Sequence, residues 1–332
     1  MPKNIAIVGV TGAVGQEFLK VLEKRNFPVN HLKLLASSKS AGKKLKFKGE
    51  EIPVETLKEN SFHDVEIALF SAGSSVSKEF APAAVSFGTI LIDNSSAFRM
   101  EKEVPLVIPE INPQDIKNHK GIIANPNCST IIMLMAIYPI YKLYPIRRII
   151  VSTYQAASGA GAQAMKELED QARAYLENKP IPTNVLPYPL AFNVFSHNSS
   201  VDLESGYNQE EIKMIKETKK ILHNPKIHLS PTCVRVSTFR AHAESITLEL
   251  DEPVKNLEEI LEAYKNFPGV QIRDDRKKNY FPMPLEVANQ DDVYIGRIRL
   301  DYENKKILHL FAVGDQLLKG AALNAVQIAE LL

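Results

Sequence analysis

The sequence around Cys128 combines residue types that could place a reactive thiol at the start of a helix. Asn-Pro-Asn-Cys-Ser-Thr occupies 125–130 and an apolar run follows over 131–137. Asn125 is a favourable N-cap and Pro126 fits the first helical position, so we predict a helix that begins here and enters the core. Cys128 then lies in the first turn, where backbone N–H groups and the helix dipole favour an anion. This position favours the nucleophilic thiolate; the alternative is a buried core cysteine.

A second candidate site lies at the glycine-rich turn near the amino terminus. Residues 4–10 are typical of a buried parallel strand, which runs through Gly9-Val10-Thr11-Gly12-Ala13-Val14-Gly15 into an amphipathic helix over 16–24. Strand, glycine turn and helix in this order indicate a loop that binds the pyrophosphate of a dinucleotide. Because the spacing is Gly-x-x-Gly-x-x-Gly rather than the commoner Gly-x-Gly-x-x-Gly, a plain tight turn is the alternative.

The residues after the second predicted strand indicate which dinucleotide binds. An enzyme that uses NAD usually has Asp or Glu at this point, where the carboxylate binds the ribose 2′-hydroxyl. Here the strand over 31–36 leads into Ser-Ser-Lys-Ser-Ala-Gly-Lys-Lys at 37–44, and no acidic residue occurs before Glu50. Hydroxyl and ammonium groups suit a 2′-phosphate, so we predict NADP rather than NAD. A basic, solvated loop is the alternative.

Further buried apolar runs alternate with helices in the first half of the chain. These predicted strands cover 65–71, 89–92, 106–108 and 121–124. Such alternation predicts a doubly wound parallel α/β sheet of the Rossmann-like type. Ser71 and the following small-residue turn with Gly73 are expected to face the cofactor. Arg99 follows a strand at the carboxyl edge of the sheet, where such folds bind ligands; it is a candidate anion-binding residue or else part of a surface salt bridge.

The second half has the pattern of a separate α+β domain. We predict helices over 162–177 and 210–223, and strands over 147–154, 233–239, 244–250, 292–300 and 306–313. An amphipathic helix over 315–332 is expected to return to the first domain. The predicted domains are therefore 1–127 together with 315–332, which binds the nucleotide, and 128–314, which carries catalysis and dimerisation.

Composition restricts the classes of function. The formal net charge is +1, which gives no reason to expect a nucleic-acid or membrane partner. No apolar run approaches the roughly 20 residues that span a bilayer, and the amino terminus has no signal-peptide pattern. With two cysteines, Cys128 and Cys233, the chain has no disulfide framework, and we expect a cytoplasmic protein with Cys233 in its core. No metal-ligand spacing is present, and no metal is expected.

Several motifs together resemble the aspartate-semialdehyde dehydrogenase family over essentially the whole chain. Beside the glycine turn and the Cys128 segment, the motifs that carry this resemblance are Gln-Ala-Ala-Ser-Gly-Ala-Gly at 155–161, Arg-Val-Ser-Thr-Phe-Arg-Ala-His at 235–242 and Val-Gly-Asp-Gln-Leu-Leu-Lys-Gly-Ala-Ala at 313–322. The resemblance implies the reversible, NADP-linked conversion of L-aspartate 4-semialdehyde and phosphate to 4-aspartyl phosphate. It also implies a homodimer and a place in lysine, threonine and methionine synthesis.

The resemblance further assigns roles to individual positions. It implies that Cys128 is the nucleophile, His242 the acid/base and Gln155 the residue that orients the intermediate. Arg235 is expected to bind the substrate carboxylate and Glu210 its amine. Inorganic phosphate is expected at Arg99 and Lys213. The expected NADP contacts include the residues of both glycine turns. They are Gly9, Thr11, Gly12, Ala13, Val14, Ser37, Ser38, Lys39, Ser40, Ser71, Gly73, Ser158, Gly159 and Gln316.

The chemistry of these residue types supports the implied roles. Attack by a thiolate converts an aldehyde into a thiohemiacetal that can lose hydride, and phosphate can cleave the resulting thioester. Histidine suits the proton transfers because an imidazole titrates near neutral pH. A planar guanidinium matches a carboxylate or phosphate with two hydrogen bonds.

The positions of Arg235 and His242 are difficult to reconcile with one regular strand. They are seven residues apart, so an unbroken strand would point their side chains to opposite faces, while Arg240 and His242 would share a face. We therefore predict an irregularity between Ser237 and Ala241. If the strand were unbroken, Arg240 would replace Arg235 as the substrate-binding residue.

Two other functions remain possible at this point. A related reductase, such as N-acetyl-glutamyl-phosphate reductase, would share the thiol, the histidine and the nucleotide fold, but would lack a site for a free amine. A non-catalytic paralogue that only binds NADP is the second, although such a protein should have lost the nucleophile or the base. Here Cys128, Gln155 and His242 are all present.

Overall fold

Apolar runs in the first part of the chain form the buried strands of a mostly parallel sheet, as their composition predicts. The computed structural model describes residues 1–332. The strands of this sheet are β1 (Lys3–Val8), β2 (Val29–Ala36), β3 (Lys44–Phe47), β4 (Glu50–Thr56), β5 (Ile67–Phe70), β6 (Ile90–Asp93) and β7 (Ile122–Ala124). Their order is β3-β4-β2-β1-β5-β6-β7, and only the β3–β4 hairpin is antiparallel. The crossover helices are α1 (Ala13–Lys24) and α2 (Ser74–Ser86).

The second part of the chain forms a mixed sheet of seven strands. These are β8 (Ile146–Gln155), β9 (Val194–Ser196), β10 (His228–Val236), β11 (His242–Leu250), β12 (Val270–Ile272), β13 (Val293–Leu300) and β14 (Ile307–Gly314). Their order is β12-β13-β14-β11-β8-β10-β9. The helices of this part are α3 (Cys128–Leu143), α4 (Ala162–Leu176), α5 (Gln209–Ile221), α6 (Leu257–Lys265) and α7 (Pro284–Val287). The predicted fold class, a Rossmann-like sheet followed by an α+β domain, is confirmed.

Packing divides the chain into two units. The first contains Met1–Asn127 and Gly320–Leu332, and the second contains Cys128–Lys319. Helix α3 is the central helix of the second unit, where it is buried along nearly its whole length and packs against α5, α6 and the sheet. None of the helices has the length and apolar character that crossing a lipid bilayer requires.

The start of α3 differs from the prediction. The helix begins at Cys128 rather than near Pro126, because Asn125 is not available as an N-cap. The Asn125 side chain instead donates to Asn94 at 2.9 Å and accepts from Asn324 at 2.7 Å, inside the first unit. Cys128 is consequently the first helical residue and keeps its place in the first turn.

Two other predicted elements are shorter than expected. The final helix, α8, covers only Leu323–Glu330, and a π-helical turn at Leu318–Ala322 precedes it. It is apolar and buried on nearly all sides, so the amphipathic interpretation was wrong. The predicted strand at 106–108 is reduced to a single bridge between Leu106 and Ala124.

Candidate active site

The mixed sheet of the second unit brings the predicted catalytic side chains to one edge. Strands β8 and β10 are parallel and end together, with Gln155 beside Arg235. Strand β11 runs antiparallel to β8 and begins there with His242. All three side chains are buried, with at most 1% of each residue exposed. Residues 87 positions apart in the sequence therefore meet at one place in the fold.

The predicted irregularity between Ser237 and Ala241 is confirmed. Strand β10 ends at Val236, β11 begins at His242, and Ala241 between them has a left-handed φ of 71°. Both Arg235 and His242 consequently point to the same buried edge. A Cβ atom at Gly159 would lie 3.0 Å from Nη1 of Arg235 and 3.2 Å from Nε2 of His242.

Arg240, the alternative to Arg235, serves another purpose. Its Nε donates to the buried carboxylate of Asp315 at 2.6 Å. The same carboxylate accepts the backbone N–H groups of Asn289 and Leu317. This ion pair ties the segment before β11 to the segment after β14, and Arg235 remains the candidate for substrate binding.

The His242 ring is held by one backbone hydrogen bond. Its Nδ1 accepts from the Ala156 N–H at 3.0 Å, so the neutral ring carries its proton on Nε2. Nε2 is buried and has no partner within the protein. Burial, followed by the nearby charge of Arg235, holds the pKa of His242 well below its ordinary value. The imidazole is therefore neutral and presents an unpaired N–H to the site.

Gln155 is the centre of a hydrogen-bond cluster next to the thiol. Its Nε2 donates to the Ser129 hydroxyl at 2.9 Å and lies 3.5 Å from Oε1 of Glu210. Glu210, in the first turn of α5, also accepts from Nζ of Lys213 at 3.2 Å. Since Ser129 directly follows Cys128 in α3, the cluster connects the start of α3 to the start of α5.

The two cysteines have different environments. Cys128 is partly exposed at the helix start and is close enough to Arg235 to interact with it electrostatically. Cys233 on β10 is buried, and burial raises the pKa of its thiol far above the ordinary value. The prediction that Cys233 is a core residue is confirmed, and Cys128 is the thiol that substrates can reach.

The guanidinium of Arg235 has partners that the sequence analysis did not identify. Nη1 donates to the Ala156 carbonyl at 2.6 Å, and Nη2 donates to Nε2 of His197 at 2.8 Å and to Oδ1 of Asn198 at 2.7 Å. Nε is buried without a partner. No spacing rule links these residues to Arg235, because the contact across 38 positions depends on the pairing of β9 with β10.

The two predicted phosphate-binding residues belong to different units. Arg99, in the first unit, is buried and donates to the carbonyl groups of Asn125 at 2.9 Å and Asn94 at 2.7 Å. Lys213, in the second unit, keeps about a third of its side chain exposed beside Glu210. The Arg99 guanidinium is therefore held in part by backbone carbonyl groups of the first unit.

A cavity of about 500 Å³ lies at the glycine turn of the first unit. Of the predicted cofactor residues, it is lined by Gly9, Thr11, Gly12, Ser37, Ser38 and Ser71. Thr56, Leu57, Val76 and Phe80, which the sequence analysis missed, supply much of its apolar wall. Gly9 has a φ of 80°, and a Cβ there would lie 2.3 Å from the Ser71 carbonyl oxygen. Only glycine allows this close approach, which a bound pyrophosphate also needs.

The other predicted cofactor residues lie outside the lining of this cavity. Ala13 and Val14 begin α1, Gly73 precedes α2, and Lys39 and Ser40 form a 3₁₀ turn after β2. Ser158, Gly159 and Gln316 belong to the second unit. There the Gln316 side chain donates to the Ser158 hydroxyl and accepts from the Ala241 N–H at 3.0 Å. No group of three or more His, Cys, Asp or Glu side chains could hold a metal ion.

A sheet of the nucleotide-binding type, with a second unit that has a partly exposed cysteine and a buried, neutral histidine, is the arrangement expected of a nicotinamide-dependent dehydrogenase that acts through a thiol. Comparison with protein families agrees with this class. A model for the semialdehyde dehydrogenase NAD binding domain matches residues 4–119, and one for the semialdehyde dehydrogenase dimerisation domain matches residues 137–319.

Individual relatives narrow the class further. The aspartate-semialdehyde dehydrogenases of Synechocystis sp. and Aquifex aeolicus are 53% and 52% identical to this chain, over all of it and over 97% and 98% of their own lengths. A crystal structure of aspartate semialdehyde dehydrogenase II from Vibrio cholerae, complexed with ASA, has a TM-score of 0.96 at 42% identity, covering 100% of this chain and 98% of that one. The chain belongs to the aspartate-semialdehyde dehydrogenase family.

Proposed function

We propose that this enzyme converts L-aspartate 4-semialdehyde and phosphate reversibly to 4-aspartyl phosphate with NADP as the coenzyme. The reaction feeds the synthesis of lysine, through diaminopimelate, and of threonine and methionine. The observation that carries the proposal is the meeting of Gln155, Arg235 and His242 at one buried edge beside the Cys128 helix, in a chain with full-length relatives of this activity.

Cys128 is the proposed nucleophile. Its sulfur adds to the aldehyde carbon and gives a thiohemiacetal, whose hydrogen can leave as hydride. A bound nicotinamide supplies the acceptor for this hydride, and a thioester then remains on Cys128. Attack by a phosphate oxygen on the thioester carbon releases 4-aspartyl phosphate and regenerates the thiolate. The start of α3 favours that thiolate through the backbone N–H groups of its first turn and the helix dipole.

His242 and Gln155 act on the oxygen of the reacting carbonyl. The Nε2–H of His242 has no protein partner, so it is free to donate a hydrogen bond to this oxygen and to stabilise the negative charge that develops on it when the thiolate, hydride or phosphate adds to the carbon. Its low pKa keeps the ring neutral. Gln155 orients the acyl group beside the thiol through a side chain fixed by Ser129 and Glu210.

The polar end of the substrate is assigned to two charged residues. Arg235 binds the α-carboxylate, using the Nε–H that the protein leaves unpaired. Glu210 binds the α-ammonium group. A site for this group favours aspartate semialdehyde over the N-acetylated glutamate semialdehyde of the related reductase, as do the full-length relatives. Arg99 and Lys213 are proposed to bind phosphate.

The first unit is the proposed NADP-binding domain, and its residues fit that cofactor. The cavity is formed by the glycine turn that a pyrophosphate requires. Ser37 and Ser38 line it after β2, and the exposed Lys39 follows them where NAD enzymes have an acid. Hydroxyl groups and a cation at this place support a 2′-phosphate.

The second unit is the proposed catalytic and dimerisation domain. The outward face of β8 exposes 37% each of Ile150 and Tyr154, and an open sheet face of this kind is suited to a second copy of the chain. We expect a homodimer, which sedimentation equilibrium would detect as twice the 37.1 kDa chain mass. Two free cysteines without a disulfide fit a reducing compartment, so we assign the enzyme to the cytoplasm.

Steady-state kinetics test the proposed reaction. NADPH formation from L-aspartate 4-semialdehyde and NADP should require phosphate and should be absent in Cys128→Ala. Turnover without phosphate would indicate water as the acceptor and an ordinary aldehyde dehydrogenase. Activity with N-acetyl-glutamate semialdehyde alone would establish the related reductase, and NADP binding without any turnover would indicate the non-catalytic paralogue.

A further inference from the structure

Most of the hydrogen-bonding capacity of Arg235 is used before any substrate binds. A guanidinium has five N–H groups. Both hydrogens of Nη2 are taken by His197 and Asn198, and one hydrogen of Nη1 is taken by the Ala156 carbonyl. This leaves the buried Nε–H and one Nη1–H. Each two-donor edge of a guanidinium includes Nη2, so its partners leave a ligand single hydrogen bonds from Nε–H or Nη1–H.

His197 can hold Arg235 only as a neutral imidazole. A guanidinium can only donate, so Nε2 of His197 is the acceptor for Nη2 at 2.8 Å and the ring proton lies on Nδ1, 3.0 Å from the Ser199 hydroxyl. The backbone N–H of Ser199 lies 3.1 Å from the same Nδ1 and has no acceptor there in this tautomer. Burial and the adjacent guanidinium lower the pKa of His197 to about 4, which keeps the acceptor nitrogen unprotonated near neutral pH. Two neutral acceptors fix a cation here without neutralising it.

The same short segment also contacts the residue proposed to bind the amine. The Ser199 hydroxyl accepts from the backbone N–H of Glu210 at 3.3 Å. The three residues 197–199, which we name the selector segment, follow β9 directly and are tied to β10 by the bond from the His197 N–H to the Cys233 carbonyl at 3.3 Å. One loop thus contacts the side chain of Arg235 and the start of α5.

We propose that His197 and Asn198 of the selector segment are positioning residues that give the enzyme its selectivity for an aldehyde with an α-carboxylate. The inference rests on the proposed function of Arg235. The side chains of His197 and Asn198, which we call the clamp, hold Nη2. They fix the plane of the guanidinium and so aim the unpaired Nε–H at the carboxylate. A free guanidinium would lose rotamer entropy when the substrate binds, so the cost of removing the clamp falls on substrate binding rather than on chemistry at Cys128.

Truncated substrates separate this role from a general structural one. Succinate semialdehyde keeps the carboxylate of aspartate semialdehyde but lacks the amine, whereas 3-aminopropanal keeps the amine but lacks the carboxylate. In His197→Leu and Asn198→Leu we expect KM for both carboxylate-bearing aldehydes to rise at least tenfold with kcat within about twofold. The kcat/KM for 3-aminopropanal should stay within about twofold of the wild-type value.

A conservative variant and a matched control test whether the hydrogen-bond acceptor at position 197 is what matters. His197→Gln keeps an acceptor for Nη2 and should recover most of the affinity that His197→Leu loses. Val194→Ala, on the exposed face of β9, is the matched control and should behave as wild type. Equal losses on all three aldehydes, or no loss in either leucine variant, would overturn the proposal.

Alkylation of the thiol gives a second readout that needs no turnover. The anionic iodoacetate and the neutral iodoacetamide should both modify the partly exposed Cys128 rather than the buried Cys233. A guanidinium fixed near the sulfur should favour iodoacetate, and the ratio of the two inactivation rates should fall at least threefold in His197→Leu. An unchanged ratio would contradict the clamp.

Arg235→Leu separates the proposed role of Arg235 in carboxylate binding from the proposed role of His197 and Asn198 in positioning it. If this variant treats carboxylate-bearing and carboxylate-free aldehydes alike while the wild type does not, Arg235 is the carboxylate site and the leucine variants test the clamp alone. If Arg235→Leu leaves the wild-type selectivity intact, the proposed role of Arg235 fails and the inference fails with it.

Discussion

Ala241 donates its backbone N–H to the side-chain carbonyl of Gln316 at 3.0 Å, and it does so in a left-handed conformation with φ at 71°. A non-glycine residue in this conformation costs about 1 kcal/mol or more. The strained turn is what allows Arg235 and His242 to share one edge although they are an odd number of residues apart. Gln316 is thus part of the framework of the site.

Removing the acceptor at position 316 should destabilise this turn. In Gln316→Leu the buried Ala241 N–H loses its partner, and we expect the free energy of unfolding to fall by about 1–3 kcal/mol. Gln316→Glu keeps an acceptor for Ala241 and should retain more stability. Urea unfolding without cofactor measures both variants, and equal stability of Gln316→Leu and wild type would contradict the role of this bond.

Gly159 should be intolerant of any side chain. A Cβ would lie 3.0 Å from Nη1 of Arg235 and 3.2 Å from Nε2 of His242. We expect Gly159→Ala to lower kcat at least tenfold, because the added methyl group displaces the atoms that act on the substrate. Circular dichroism and the unfolding midpoint should change little, since the backbone φ at this position is accessible to alanine. A variant with wild-type kcat would show that the site relaxes around the methyl group.

Glu244 should make stability depend on pH. This carboxyl lies on β11 two residues after His242, is fully buried and has no partner on either oxygen. Burial raises its pKa well above the ordinary 4.5, so the native state binds a proton that the unfolded state has lost. Stability from this group is therefore complete below pH 4.5 and falls as the pH rises towards the native pKa.

The variant Glu244→Gln isolates that effect. Its free energy of unfolding, minus that of the wild type, should increase from pH 5 to pH 8, by at most about 1.4 kcal/mol per pH unit. The neighbouring titratable groups are the same in both proteins and cancel in the difference. A difference that does not vary with pH would mean that Glu244 has an ordinary pKa in the folded protein.

Coenzyme preference should depend on the residues after β2. Lys39→Glu places the acid that NAD enzymes carry near the ribose, and it should repel a 2′-phosphate. We expect KM for NADP to rise at least tenfold while KM for NAD changes little. Lys46→Glu, on the exposed side of β3, is the charge-matched control. Equal effects of the two variants would exclude a specific contact at Lys39.

Local patterns in the sequence were sufficient to predict some parts of the fold. Buried apolar runs and the glycine turn predicted the parallel sheet, because both signals arise within a few residues. The β3–β4 hairpin was missed: its charged strands lack clear alternation, and it turns at Lys48 and Gly49, both with positive φ. The break before His242 could be predicted because the roles implied for Arg235 and His242 require both side chains on one face. In an unbroken strand, two residues seven positions apart point to opposite faces.

Other features depend on contacts that no local pattern encodes. Asn125 looked like an N-cap, but Asn94 and Asn324 compete for its side chain. His197 and Asn198 became recognisable only when β9 was placed beside β10. The carboxyl of Glu244 appeared in the sequence as an ordinary strand residue.

The most direct test of the account is a single-turnover reaction without phosphate. Wild-type enzyme mixed with L-aspartate 4-semialdehyde and NADP should produce one NADPH per active site and then stop. Mass spectrometry of the stopped enzyme should show an aspartyl group on the peptide that contains Cys128, and phosphate should release it as 4-aspartyl phosphate. Continued turnover, or an NADPH burst with no adduct on Cys128, would contradict a thioester on this cysteine.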